Sequence, residues 1–262
     1  MRNRVVTALV LVAISLGSSA TGSPWPLWGL CLLVCVASLS ELVQLYGIKK
    51  FPVPILGAVM LAAGAFIPIG AKSLAAELLV WLVCLAASAR FRGRFGFEAA
   101  SLWVTLPFVA IQQTHLLTRP EVGFNLAQPV YLCVIPVWAG DTFAIFAGKR
   151  FGKHPLAPSL SPGKTWEGAL ANTVACLVFA YLVGAGVHAA PVVYLSVGLL
   201  CAVLGQFGDL FESWLKRQAG VKDSGFLLPG HGGVLDRVDS LIGSAIPSCL
   251  VLIALTPAYR YG

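Results

Sequence analysis

Charge is what this sequence has least of. Its 11 Asp and Glu and 18 Lys and Arg make up only 11% of 262 positions, too few polar residues to cover a water-soluble domain of that size. Metal-type cysteine spacing is missing too. Cys31, Cys35, Cys84, Cys133, Cys176, Cys201 and Cys249 all fall inside apolar runs, with no CxxC pair and no His/Cys ligand spacing. That excludes a zinc module or a disulfide framework and leaves buried free thiols. No repeat, low-complexity segment or soluble domain interrupts the chain. What is abundant is apolar: 58% of the residues are hydrophobic, and mean hydropathy is +0.84.

The apolar residues gather into runs near the length that crosses hydrocarbon, at 5–20, 27–47, 53–71, 74–89, 98–117, 129–147, 168–186, 190–212 and 239–257. They predict an all-α, polytopic integral membrane protein with about nine transmembrane helices. The first run begins MRNRVV and ends near SLGSSATGSP, so it also reads as a secretory signal. We take it as a retained helix; cleavage would leave the orientation of every later span unchanged.

The basic residues set the orientation. Alternating spans place Arg2, Arg4, Lys49, Lys50, Arg90, Arg92, Arg94, Lys149, Arg150, Lys153, Lys164, Lys216, Arg217, Lys222 and Arg237 on one side. Only Lys72, Arg119 and Arg260 fall on the other. The N-terminus and the polar connections 149–167 and 213–238 are therefore expected in the cytoplasm, on a cell inner membrane, with the C-terminus outside. The formal charge of +7 is then accounted for by topology and anionic lipid headgroups, without nucleic acid. We divide the chain into N-terminal helices at 1–127, expected to serve as a scaffold or dimerisation region, and a catalytic region at 128–262.

The scarce charge is concentrated. Four of the five aspartates, Asp209, Asp223, Asp236 and Asp239, lie between positions 209 and 239 together with Lys216, Arg217, Lys222, Arg237 and a Gly-His-Gly-Gly turn. Helical spacing puts Asp209, Glu212, Ser213 and Lys216 on one stripe. Gly232 and Gly233 allow backbone to approach a ligand around His231. Asp239 and Ser240 are candidate caps for the last span. The other connection carries Lys149, Arg150, Lys153 and Lys164 among Gly152, Pro155, Pro158 and Pro162, which fix a non-helical path. Its SPGKT segment superficially resembles a nucleotide-binding P-loop, but Pro158 stands where the first glycine is required and no strand precedes it. What survives is a basic, turn-rich loop able to bind several phosphates, with Ser161 and Thr165 as hydroxyl donors. Thr165 and Glu167 can also start the seventh span. Asp141 lies inside the sixth span, where a carboxylate costs about 2.5–3.5 kcal/mol unless paired or wetted. It reads as a residue that orients metal or substrate, or else as a helix-packing polar group.

Acids and bases around glycines at a membrane surface suggest a metal-phosphate site. Magnesium takes oxygen ligands, typically one or two carboxylates with water and phosphate oxygens, and Asp209 and Asp236, at two helix ends on the same side, supply such a pair. Asp223 and Asp239 read as groups orienting neighbouring Lys and Arg. His231 reads either as a structural turn residue or as a phosphate or base contact.

From Ser213 to Asp239, the pattern Ser213-Trp-Leu-Lys216-Arg217, Lys222-Asp223-Ser-Gly225, Pro229-Gly-His231-Gly232-Gly233 and Asp236-Arg237-Val-Asp239 resembles the signature of the phosphatidate cytidylyltransferases, or CDP-diacylglycerol synthases. Asp141, Lys149-Arg150-Phe-Gly152-Lys153 and Ser161-Pro162-x-Lys164-Thr165-x-Glu167-Gly168 are similar to that family's second block. Ala171-Asn172 departs from it, where relatives often carry small glycines. The resemblance is close over the C-terminal half and rests on hydropathy alone before it. It implies that CTP and phosphatidic acid give CDP-diacylglycerol and pyrophosphate. It also implies Mg2+ on Asp209 and Asp236, paired with a second, monovalent cation such as K+, and a homodimer among membrane lipids. The lipid phosphate is already a nucleophile, so catalysis would consist of bringing two polyanions together and neutralising the leaving pyrophosphate. Lys216, Arg217, Lys222 and Arg237 would screen charge at the α-phosphorus, and Lys149, Arg150, Lys153 and Lys164 would hold the triphosphate tail or the lipid phosphate. The competing readings are a related CTP-using membrane enzyme, such as a polyprenol or phytol kinase, and more remotely a transporter or scaffold. Against the latter stand charge at one face and no inverted repeat.

Overall fold

A computed structural model of the chain describes residues 24–47, 93–117, 130–186, 189–227 and 232–255, with isolated helical positions at 17, 78–79, 82–83, 86 and 90. Six helices and one hairpin make up the described residues: α1 (Pro24–Leu45), α2 (Gly93–Leu117), α3 (Val130–Phe151), β1 (Pro155–Ala157), β2 (Ser161–Thr165), α4 (Trp166–Gly186), α5 (Pro191–Gln218) and α6 (Leu235–Leu255). All of these except α2 and the hairpin are long and apolar enough to cross a membrane. The protein is thus a helical membrane protein. Each helix labelled here overlaps one of the expected spans; the span at 53–71 lies outside the described residues, as do those at 5–20 and 74–89 apart from the isolated positions.

The helices overrun the apolar runs that announced them. Helix α5 continues six residues past its run, to Gln218, and α6 begins four residues early, at Leu235. Ser213, Lys216 and Arg217 are therefore helical rather than part of a loop. Backbone hydrogen bonding need not stop where hydropathy does, and the polar stripe at the end of α5 gives the extra turns something to pack. The loop at 149–167 is a correction of a different kind. Its prolines and glycines do exclude a helix, but the chain folds back as an antiparallel hairpin pairing Pro155 with Thr165 and Ala157 with Ser161. The SPGKT residues are its second strand, and a short strand does precede them, at Pro155–Ala157, where none was expected.

The chain divides into two compact units, Met1–Asn125 with Ala219–Val238, and Leu126–Gln218 with Asp239–Gly262. In the first, α1 packs on α2 through Cys35, Leu39, Leu42, Phe97, Ala100 and Trp103, all buried. Tyr46 meets Phe97 edge-on at 5.5 Å between ring centres. The hydroxyls of Ser101 and Thr105 donate to carbonyls one turn back, of Phe97 and Ser101, both at 2.8 Å. That is how a polar side chain is satisfied when neither water nor a partner helix supplies an acceptor.

In the second unit α3, α4, α5 and the body of α6 pack through small residues, which lets backbones approach where lipid gives no hydrophobic drive between helices. A Cβ at Gly140 would lie 2.5 Å from Cys176 Sγ, one at Gly198 2.8 Å from the Ala180 methyl, and one at Gly208 2.8 Å from Gly243 Cα. The apolar side chains turn outward instead: Phe146, Leu170, Val174, Leu182, Val192 and Leu199 are exposed. This inverts the soluble pattern and fits a lipid surround. Cys31, Cys35, Cys133, Cys176, Cys201 and Cys249 are buried thiols outside any disulfide, as expected; Cys84 lies outside the described residues.

Gly208→Ala should overpack the α5–α6 crossing and cost about 1–3 kcal/mol. Gly29→Ala, with nothing within 4 Å of the added carbon, should change stability by less than about 0.5 kcal/mol. Thermal unfolding in detergent checks both.

Candidate active site

The second unit gathers one half of the expected site around the end of α5. The predicted stripe is real, and it faces inward: Glu212 is fully buried, Ser213 and Lys216 are buried, and Asp209 is half-buried. Two lysines neutralise it. Lys164, carried in by β2, places its ammonium 2.5 Å from Asp209 Oδ2. Lys216 lies 2.5 Å from Glu212 Oε2, one turn back on the same helix. Asp239 is also buried and within Coulombic reach of Asp209, Glu212 and Asp141. Four carboxylates and two ammonium groups thus share a mostly dry region, where each charge depends on its neighbours.

The hairpin is held onto this helix end. Arg217 Nε donates to the Leu160 carbonyl at 3.2 Å, at the turn between the strands. At the hairpin's base, the Thr165 hydroxyl accepts the Gly168 amide at 3.2 Å and so caps α4. The same side chain fills a notch where a Cβ at Gly152 would meet its methyl at 2.7 Å. Glu167 reaches back to accept the amides of Lys153 at 3.1 Å and His154 at 3.4 Å, with His154 Nδ1 at 2.7 Å from its other oxygen. Thr165 and Glu167 therefore shape the hairpin that presents Lys164. Ser161 is half-buried on β2.

Deeper in the bundle, Asn172 Nδ2 donates to Asp141 Oδ1 at 3.3 Å, and Gln206 Nε2 donates to Asn172 Oδ1 at 3.3 Å. Asp141 on α3 is thereby tied through α4 to α5. Asn172 is the position that departs from the family pattern. Its side chain bridges three helices, so the departure concerns the polar interior as well as packing. Lys149, Arg150 and Lys153 are exposed at the end of α3 and just beyond it.

The first unit holds Asp236 and the turn before it, built on a residue that reading the sequence missed. Glu41, on α1, is fully buried. Its carboxylate accepts the Ser224 hydroxyl and the amides of Val234 and Leu235, each at 2.9 Å. Those amides open α6, so its N-terminal donors are met by a carboxylate 193–194 residues away in the chain. Asp239 and Ser240 do not cap the helix as expected: both are buried inside it, one turn on. Asp236 turns back toward the loop, its Oδ2 accepting the amides of Gly233 at 2.8 Å and Ser224 at 3.1 Å. Glycine is required here. Gly232 has φ +81°, and a Cβ there would lie 2.8 Å from Asp236 Oδ2; one at Gly225 would lie 2.5 Å from Glu41 Oε1. Lys222, Asp223 and Arg237 are exposed, and His231 lies outside the described residues. The signal for Glu41 was present: a carboxylate inside the apolar run VASLSELVQL needs the same explanation as Asp141.

The donor chemistry suits magnesium. Asp209 and Asp236 offer oxygens, and Asp209 already holds a cation in the form of the Lys164 ammonium. Among the described residues no group of three or more His, Cys, Asp or Glu is arranged to hold a metal.

A sequence model of the Cytidylyltransferase family matches residues 2–255. The phosphatidate cytidylyltransferase of Brucella abortus is 43% identical over 155 residues, covering 57% of this chain and 54% of that protein. That of Helicobacter pylori is 40% identical over 188 residues, covering 65% and 70%. Phosphatidate cytidylyltransferase 5, chloroplastic, of Arabidopsis thaliana is 52% identical over 106 residues, covering 40% and 26%. The chain spans about half the length of the Brucella relative it matches.

Removing one member of the buried Glu212–Lys216 pair strands the other. Lys216→Met should lose about 3–5 kcal/mol of stability, and the double change with Glu212→Leu should recover most of it. Thermal unfolding of the three proteins in detergent measures the difference.

Proposed function

The chain belongs to the Cytidylyltransferase family, and from that premise we propose that it transfers the cytidylyl group of CTP to phosphatidic acid, giving CDP-diacylglycerol and pyrophosphate in phospholipid biosynthesis. The observation that most directly supports this is the Lys164–Asp209 pair, a hairpin ammonium against an α5 carboxylate, the charge types that a phosphate and a metal ion would each take up. A phosphate oxygen of the lipid attacks the α-phosphorus of CTP. The new P–O bond forms as the bond to the β-phosphate's bridging oxygen breaks, and pyrophosphate leaves with that electron pair. No serine or cysteine has to be activated, so the protein's work is to hold two polyanions together and balance their charge.

Asp209 and Asp236 would hold Mg2+, whose contribution would be to neutralise phosphate oxygens and the departing pyrophosphate; a monovalent ion such as K+ would be the second member of that centre. Lys164 is placed to exchange its contact with Asp209 for a phosphate oxygen. Arg217 fixes the hairpin turn while its charge faces the same region. The exposed Lys149, Arg150, Lys153, Lys222 and Arg237 supply positive potential through which CTP and the anionic lipid approach. Asp223, Gly232 and Gly233 lie in the segment before Asp236, and Ser213 and Asp239 on α5 and α6; His231, outside the described residues, would serve as a turn residue or as a contact to phosphate or base.

The finer membrane arrangement is part of the same proposal: about nine spans, the N-terminus and the site on the cytoplasmic face of the inner membrane, and a homodimer formed through membrane helices. One face for the polar segments is supported within each unit separately. Glu41, one turn from the end of α1, reaches the loop before α6, and Arg217, at the end of α5, reaches the hairpin.

With detergent-solubilised protein, Mg2+ and CTP labelled at the α-phosphate, label should enter lipid only when phosphatidate is present. Label leaving as CDP would identify a kinase instead. Asp209→Asn and Asp236→Asn should each lower turnover by about 100-fold or more, on the scale of losing a transition-state charge contact, while still inserting. Lys164→Ala should raise KM for CTP or for phosphatidate; unchanged KM values for both would remove it from the phosphate site.

A further inference from the structure

We infer that Glu41 is a positioning residue for the reaction, setting the orientation of Asp236 from the N-terminal part of the chain. The inference rests on the reading of Asp236 as a metal-binding carboxylate.

Three observations within the first unit carry it. Glu41 is buried with its carboxylate surrounded by donors from the loop: the Ser224 hydroxyl and the amides of Val234 and Leu235, all at 2.9 Å. A carboxylate in that setting has to be met by hydrogen bonds, because an unpaired one would be far too costly to bury. Ser224 is the shared element. Its hydroxyl donates to Glu41 while its amide donates to Asp236, at 3.3 Å to Oδ1 and 3.1 Å to Oδ2. Leu235, whose amide Glu41 holds, directly precedes Asp236. Both the residue before Asp236 and the donor clamping its carboxylate are therefore fixed by one side chain.

The third observation is steric. A Cβ at Gly225 would sit 2.5 Å from Glu41 Oε1 and 2.8 Å from its Cγ, and Gly233 is equally closed, with Glu41 Cδ at 2.8 Å. The loop backbone thus lies directly on the carboxylate, with no room for slack. Such a contact suits orientation better than general stability, which Leu39, Leu42, Trp103 and their neighbours already provide by apolar burial. Partners that hold a metal ligand in place commonly govern metal affinity as strongly as a weak ligand does.

The test is Mn2+ binding to the detergent-solubilised full chain, followed by electron paramagnetic resonance, with no substrate present. Mn2+ accepts the same oxygen donors as Mg2+. Thermal unfolding of each variant is measured alongside, because an irreversibly misfolded fraction lowers only the amplitude, whereas reversible unfolding raises the apparent dissociation constant by the inverse of the folded fraction. The comparison is made below the unfolding transition, where that factor is close to one. Glu41→Gln keeps the shape but turns an amide NH2 toward donors; it should weaken Mn2+ binding by about 10-fold or more, the usual scale for an outer partner of a metal ligand. Ser224→Ala removes one of the three bonds and should weaken it about 3-fold, the scale of one hydrogen bond; it decides the matter if Glu41→Gln does not fold. Asp236→Asn separates the two levels of the argument. If it weakens Mn2+ binding while Glu41→Gln and Ser224→Ala bind as the unaltered chain does, the positioning role is overturned and the metal reading stands. If Asp236→Asn itself binds Mn2+ normally, the metal reading falls and this inference with it.

Discussion

A carboxylate inside a bundle that faces hydrocarbon must find its compensation within the protein. Asp209 has the Lys164 ammonium, Glu212 has Lys216, Asp141 has the Asn172 amide, and Glu41 has a hydroxyl and two backbone amides. These pairings decide more than local stability. All but the Glu212–Lys216 pair, which lies within α5, join an apolar helix to a polar segment or to another helix, so the positions of the loops follow from where the acids sit. The hairpin is where it is because Lys164 and Arg217 tie it to α5. The turn before α6 is where it is because Glu41 receives its amides.

The two kinds of compensation differ in what they permit. An ion pair such as Lys164–Asp209 can be traded for another: a different cation can take the ammonium's place, and a different anion the carboxylate's. Three hydrogen bonds from a rigid loop and a helix N-terminus allow no such exchange. The first kind suits the part of a site that must rearrange when a polyanion arrives, the second the part that must not. The functional proposal uses both.

Much of this was legible in the sequence, for reasons that can be named. Hydropathy located the described helices because crossing length is a strong constraint. The stripe Asp209, Glu212, Ser213, Lys216 followed from helical spacing, and it can face inward because Lys216 neutralises Glu212 and Lys164 of the hairpin neutralises Asp209. The bounds of α5 and α6 were not legible, since hydropathy marks where lipid ends rather than where helical hydrogen bonding does. The hairpin was missed because Pro155, Pro158 and Pro162 exclude a helix without choosing between an irregular loop and two short strands. Glu41 was passed over because nothing near it in sequence carries charge: its partners lie 183–194 residues away. Asn172 looked like a packing change until Asp141 and Gln206 were seen on either side of it.

That long separation also bears on how the protein is made. The acceptor is synthesised first, and its donors come off the ribosome some 183–194 residues afterwards. At ~5–20 residues per second that is a delay of roughly 10–40 s. Throughout it, α1 is in place with an acid side chain whose eventual partners do not yet exist. Water or the insertion machinery must solvate that side chain in the meantime, so the last turn of α1 settles only when the final helix arrives. Biogenesis therefore closes the molecule from its two ends, the earliest described helix waiting for the latest.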